Sequence, residues 1–138
     1  NKEMDVLATN LKTFADPGLV LFAFYDGKPA GLSITLPNMN EVLVHLDGKL
    51  GPIEMVKFLL LKGKIKGTRA IVFGFKQEYR RLGLPVLLFY ETEEYGRARG
   101  YEWVEMSWNL EDNRLINDFD RAAGAEVYKH YRVMERTL

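Results

Sequence analysis

Two arginines and a glycine within one short run, Arg80-Arg81-Leu82-Gly83-Leu84-Pro85, are the residues here best suited to chemistry. Guanidinium groups pair with phosphate oxygens through planar forks of N–H donors. A glycine lets the backbone approach an anion closely, with its N–H groups turned towards it. The apolar run Ala70 to Phe75 precedes these residues, and a long helical pattern from Leu84 to Arg99 follows them. The first-turn N–H groups of a helix lack intrahelical acceptors, so strand, glycine loop and helix together make an anion site. The expected ligand carries phosphate. No GxxxxGK[ST] run occurs and no GxGxxG opens the helix, which sets aside a triphosphate P-loop and a dinucleotide fingerprint.

Composition removes other chemistries. There is no cysteine, hence no disulfide frame, thiolate nucleophile or zinc–thiolate site, and the two histidines, His45 and His130, stand far apart. No metal is expected. The 138 residues suit a single domain, spanning the whole chain, with a real core. Net charge is zero, but Lys57 to Arg81 is basic and Glu91 to Asp120 is acidic. The basic stretch lacks an interleaved aromatic platform, so no nucleic-acid partner is expected. No apolar run approaches ~18 residues and no charged-then-apolar leader opens the chain, so the expectation is a soluble, cytoplasmic protein with no membrane partner. The chain starts at Asn1 within a helical pattern, which suits truncation or a piece of a longer polypeptide.

The elements that would position the turn can be read in order. Met4, Leu7, Leu11 and Phe14 recur at helical spacing. Leu19 to Tyr25 reads as a buried strand, and Asp26-Gly27 as a hairpin turn in which both residues take positive φ. A returning strand runs from Pro29 to Leu36. A short helix over Asn38 to Asp47 uses Asn38 or Asn40 as cap. Pro52 opens another helix, with Ile53, Val56, Leu59 and Leu60 on one face. Ala70 to Phe75 is apolar on both faces, as in a central strand. In the helix from Leu84 to Arg99 the apolar first half should be the buried half, with a stop at Gly100. Tyr101 to Trp108 is a strand, Asn113 opens a helix that ends at Gly124, and Glu126 to Glu135 alternates as a final strand. This order predicts an α/β (α+β) fold, a mixed and mostly antiparallel central sheet flanked by helices.

The runs VFGFKQEYRRLGLPVLL, GYEWVEMSW and EDNRLINDFDRAAGA resemble the Gcn5-related N-acetyltransferase (GNAT) superfamily. The family pattern Gln/Arg-x-x-Gly-x-Gly/Ala is met at Arg80 and Gly83, and Leu19 to Leu36 resembles its second and third strands. The resemblance implies an acyl-CoA N-acyltransferase-like fold and transfer of an acetyl group from acetyl-CoA to an amine. It implies that Phe73, Gly74 and Phe75 pair with the pantetheine arm and that Arg80, Arg81, Leu82, Gly83 and Leu84 cradle the pyrophosphate. Asn113 would cap its helix and touch the cofactor arm.

Three departures accompany it. Pro85 stands where the family has Gly or Ala, and proline has no N–H. The family tyrosine that protonates the leaving thiolate, four residues before the closing glycine, is replaced by Asp120. Tyr128 and Tyr131 in the tail are the candidate substitutes, Tyr128 put first as the acid, and Glu105 is the candidate base, since the central strand carries no carboxylate. Only one helix precedes the second-strand equivalent, which fits a homodimer or a separate N-terminal domain supplying the missing edge. The acceptor is expected to be a small-molecule or peptide amine. The alternative is a degenerate domain of this fold that binds CoA or acyl-CoA, or is structural, without catalysis.

Overall fold

A computed structural model describes residues 15–46, 48 and 51–136; the helix expected over Met4 to Phe14 lies outside them. The chain divides into two compact units, residues 1–107 and 108–138.

In the first unit, β1 (Val20–Tyr25) and β2 (Lys28–Pro37) form the expected hairpin. Asp26 and Gly27 both take positive φ, 46° and 72°, matching the twist of the strands they join. β2 pairs antiparallel with β1 and with β3 (Gly67–Phe75), and β3 pairs parallel with β4 (Trp103–Met106). The order is β1-β2-β3-β4, a mixed and mostly antiparallel sheet with β3 in its interior. A parallel pair needs a crossover, and α3 (Leu84–Ala98) supplies it. α3 packs against β1 and β2 and buries Leu88 and Gly96. Leu19, Ala30, Ser33, Thr35 and Phe75 are buried within the same unit.

Register places Gly31 opposite Phe75. A Cβ on Gly31 would stand 2.3 Å from the Phe75 ring, so the strand needs glycine for close cross-strand packing. Gly31→Ala should destabilise the fold by about 1–3 kcal/mol through overpacking, read from urea unfolding.

Two short helices connect β2 to β3. α1 (Asn40–Leu43) continues as a 3-10 turn, Val44–Leu46, and Asn38 Oδ1 accepts the Asn40 N–H at 3.3 Å. The Glu41 carboxylate accepts the N–H groups of Lys66 and Gly67 at 2.9 and 2.8 Å, fastening α1 to the start of β3. α2 (Pro52–Lys62) begins at Pro52 as expected, yet buries no residue. Its inner side is Glu54, Phe58 and Leu61, each half-buried, while Ile53, Val56, Leu59 and Leu60 are exposed.

Two further expectations are corrected. The apolar first half of α3 is not its buried half, since Val86, Leu87 and Tyr90 are more than half exposed. A helix turns one stripe to its sheet, here Leu88, Thr92, Tyr95 and Gly96, and a continuous apolar run must leave residues outside that stripe. β4 is shorter than Tyr101 to Trp108. The Ser107 N–H and hydroxyl both donate to the Ala70 carbonyl, at 3.4 and 3.2 Å, and Trp108 takes φ +67°, out of the extended region.

The second unit contains α4 (Arg114–Ala122), closed by Gly124 at φ +87°. Residues 125–136 hold no regular structure, so the strand expected over Glu126 to Glu135 is not formed. Alternation marks a two-faced segment, but a strand exists only where a neighbour accepts its backbone hydrogen bonds.

Candidate functional site

β3 ends at Phe75, and the chain turns at once. The Lys76 N–H donates to the Ala30 carbonyl at 3.0 Å, a 3-10 turn spans Gln77–Tyr79, and the Leu82 N–H donates to Tyr79 at 3.3 Å. The Tyr25 and Tyr79 rings, 5.6 Å apart, brace this turn against the end of the β1–β2 hairpin. Gly83 then adopts the left-handed conformation (φ 75°, ψ −6°) as the N-cap of α3, and its carbonyl accepts the Leu87 N–H at 3.1 Å. Among the described residues, no atom apart from its chain neighbours lies within 4 Å of the place a Gly83 side chain would occupy. The helix therefore starts with an uncrowded backbone. The N–H groups of Leu84 and Val86 have no acceptor one turn back, and Pro85 offers none.

Arg80 Nε donates to the Phe75 carbonyl at 3.0 Å, which holds that guanidinium beside the end of β3. Arg81 and Leu82 are exposed on the same turn, and Leu84 is half-buried as the first residue of α3. Two cations and the positive end of a helix thus share one turn, opposed locally by Glu78. The β3–β4 ladder runs from Gly67–Trp103 to Ala70–Met106, while β3 itself continues to Phe75. Phe73, Gly74 and Phe75 lie on that continuing segment, which leads directly into the turn. The Phe73 and Phe75 rings meet edge to face at 5.4 Å. The expected cofactor-binding residues from Phe73 to Leu84 are thus brought together on one strand–turn–helix.

Glu105 lies on β4 opposite Arg69 of β3. Its Oε2 accepts from Arg69 Nη2 at 2.7 Å and Nε at 3.1 Å, and its side chain is nearly buried. Both guanidinium bonds fall on this one carboxylate oxygen. Asn113 is the N-cap of α4 but its side chain makes no capping hydrogen bond; the Asn117 N–H donates to its carbonyl at 3.2 Å. Tyr128 is exposed, with the Lys129 ammonium 4.9 Å from its ring centroid. Asn113 and Tyr128 belong to the second unit. Asp120, in the same unit, accepts a hydrogen bond from the Asn109 amide, and burial holds its carboxyl above the usual range despite that bond.

Sequence reading missed a second polar cluster, at the other end of α3. Asp16, buried, accepts from the Tyr95 hydroxyl at 2.7 Å, the Gly18 N–H at 3.2 Å and Arg99 Nε at 3.3 Å. Burial would raise this carboxyl, but those three donors together hold it below its ordinary value. The bond to Asp16 raises Tyr95, and burial raises Tyr101 nearby. Asp16-Pro17-Gly18 reads only as a turn, and nothing in its sequence points to residues 79 and 83 positions away. Among the described residues no group of His, Asp and Glu could hold a metal ion, and no helix is long and apolar enough to cross a membrane.

No family model matches the chain. It is 35% identical over 139 residues to a protein of Caulobacter vibrioides named bacterial ceramide synthase, and 32% identical over 143 residues to protein YghO of Escherichia coli. These alignments cover 96% and 99% of the chain, which spans only 36% of the length of each relative. Among solved structures, it matches an aminoglycoside antibiotic 6'-N-acetyltransferase from Acinetobacter haemolyticus with TM-score 0.63 at 13% identity, over 99% of this chain and 81% of that one. An aminoglycoside N-acetyltransferase in complex with CoA matches with TM-score 0.61 at 12% identity, over 99% and 90%. At such identities the likeness is one of architecture. The chain has a GNAT-like fold.

Proposed function

We propose that this chain carries the cofactor-binding part of a CoA-dependent N-acyltransferase. One observation supports the reading above all: β3 outruns its ladder with β4 and passes through a left-handed glycine into the start of α3. A diphosphate suits that turn. The space beside Gly83 is open, the first-turn N–H groups of Leu84 and Val86 lie at the positive end of α3, and Arg80 and Arg81 add charge. Pro85 removes one donor and leaves the others. Phe73, Gly74 and Phe75 are the residues proposed to line the pantetheine arm as an added strand would, and Asn113 a further contact to it.

When bound, acyl-CoA supplies a thioester carbonyl for attack by an amine. Glu105 is the proposed acceptor of the amine's proton and Tyr128 the proposed donor to the leaving sulfur. Acetyl-CoA is the simplest donor, and a small-molecule or peptide amine the simplest acceptor. The Caulobacter relative's name adds a second pair. Ceramide is an amide of a long-chain amino alcohol, so a long-chain acyl-CoA and such an amine belong in the assay.

Calorimetry with CoA, acetyl-CoA and a long-chain acyl-CoA, followed by thiol release across a panel of amines, tests the proposal on the whole polypeptide. Binding and amine-dependent release are expected. Binding without release would favour a degenerate domain, a reading supported by Pro85 and by the engagement of Glu105 with Arg69. Absence of binding would sink both. Glu105→Gln should lower kcat by about a hundredfold or more with donor affinity unchanged. If kcat holds while stability falls by about 1–3 kcal/mol, Glu105 is the structural partner of Arg69 instead.

A further inference from the structure

We propose that the outer face of α2 is a membrane-surface contact whose partner is a bilayer bearing anionic headgroups. At about 100° per residue, Met55, Leu59, Pro52, Val56, Leu60 and Ile53 follow one another round one side of the helix. All six are exposed, Ile53 and Leu60 to 70%. Lys57, exposed, stands at one margin of this stripe and Lys62 at the other. Lys64, exposed, follows the helix, and its acid, Glu54, is on the inner side. The turn before the helix packs against it, and Leu43 and Val44 there are exposed too.

A contiguous apolar stripe on the outer side of a helix that already turns Phe58 and Leu61 inward marks a surface suited to a second apolar medium. Charge complementarity selects which medium. Protein interfaces are depleted in lysine, whereas a Lys-margined apolar stripe suits anionic lipid headgroups above acyl chains. The helix is about 16 Å long, too short to span a bilayer, so it would lie in the interfacial plane. This departs from the expectation of no membrane partner, which rested on the absence of a spanning run and of a leader. Neither bears on a short helix with an exposed apolar stripe.

The test is co-sedimentation of the whole polypeptide with vesicles of phosphatidylcholine alone or mixed with phosphatidylglycerol. Pelleting is expected with the anionic vesicles. It should weaken about tenfold or more in Leu59→Glu/Leu60→Glu, and severalfold in Lys57→Gln/Lys64→Gln or at high salt. Both leucines are exposed, so circular dichroism and melting of the variant should match the parent. Failure to pellet with anionic vesicles overturns the proposal, as does pelleting that survives the double leucine substitution. A dimer that does not pellet, and that the leucine substitutions convert to monomer, would assign the face to a second copy. The readout is lipid binding, so it stands apart from the outcome of the acyltransfer assays.

Discussion

Gly83→Val will lower acyl-CoA affinity by about a hundredfold, the equivalent of losing one or two charge-assisted hydrogen bonds to the diphosphate. The residue sits at φ 75°, where a β-branched side chain is strained by about 1–2 kcal/mol. Because, among the described residues, no atom apart from the chain neighbours lies within 4 Å of the new Cβ, the side chain enters the space proposed for the ligand rather than the core. The melting temperature should therefore fall by only a few degrees while affinity collapses. Gly83→Ala provides the comparison, since it carries the same φ strain with less bulk. If the two variants bind alike, strain in the turn is responsible; if valine loses more, the side chain meets the ligand. Calorimetric titration with CoA reads both, and unchanged affinity in the valine variant would mean that this turn does not bind the diphosphate.

Asp16→Ala will destabilise the protein by about 2–3 kcal/mol, because one buried carboxylate satisfies the Tyr95 hydroxyl and the Gly18 N–H and pairs with Arg99. These contacts join the segment entering β1 to the C-terminal half of α3. Packing there is tight, since a Cβ on Gly18 would stand 2.0 Å from the Tyr95 ring. Asp16→Asn keeps an acceptor but loses the charge, so it should cost less than alanine. The pH dependence has a definite sign. The carboxyl's ordinary value of 3.8 is lowered in the folded state, so the unfolded chain binds this proton more readily. Its contribution is complete above the ordinary value and is lost as pH falls through the lower, folded value. Melting curves of the parent and the asparagine variant should differ at neutral pH and converge on acidification. A gap that persisted in acid would mean that the charge on Asp16 does not stabilise the fold.

Much of the candidate site is local, and that is why it is legible. Arg80, Gly83 and Leu84 are neighbours in sequence, and a strand–turn–helix needs little more than an apolar run, a left-handed residue and a helix former. Glu105 was legible as a carboxylate on a strand but not as the partner of Arg69, because that pairing depends on parallel register between strands 36 residues apart. Asn113 could be placed at a helix start from its type, whereas its lack of a capping bond is a matter of side-chain geometry. Tyr128 lies in a stretch whose weak alternation suggested a strand, and the structure shows none over 125–136.

By itself the sequence determined the features that short-range sterics dictate. These are the positive φ values at Asp26-Gly27, the start of α2 at Pro52, the left-handed entry to α3 at Gly83 and the exits at Gly100 and Gly124. It also determined the alternation of elements from β1 to α4, and with it the mixed sheet and its parallel crossover. The tertiary structure alone decided which apolar residues are covered, where β4 stops, and which donors hold Asp16 and Glu105. Those outcomes depend on partners far away in the chain. Periodicity states that a face is apolar, but only the neighbouring elements determine whether it meets a core, as Leu88 does, or solvent, as Leu60 does.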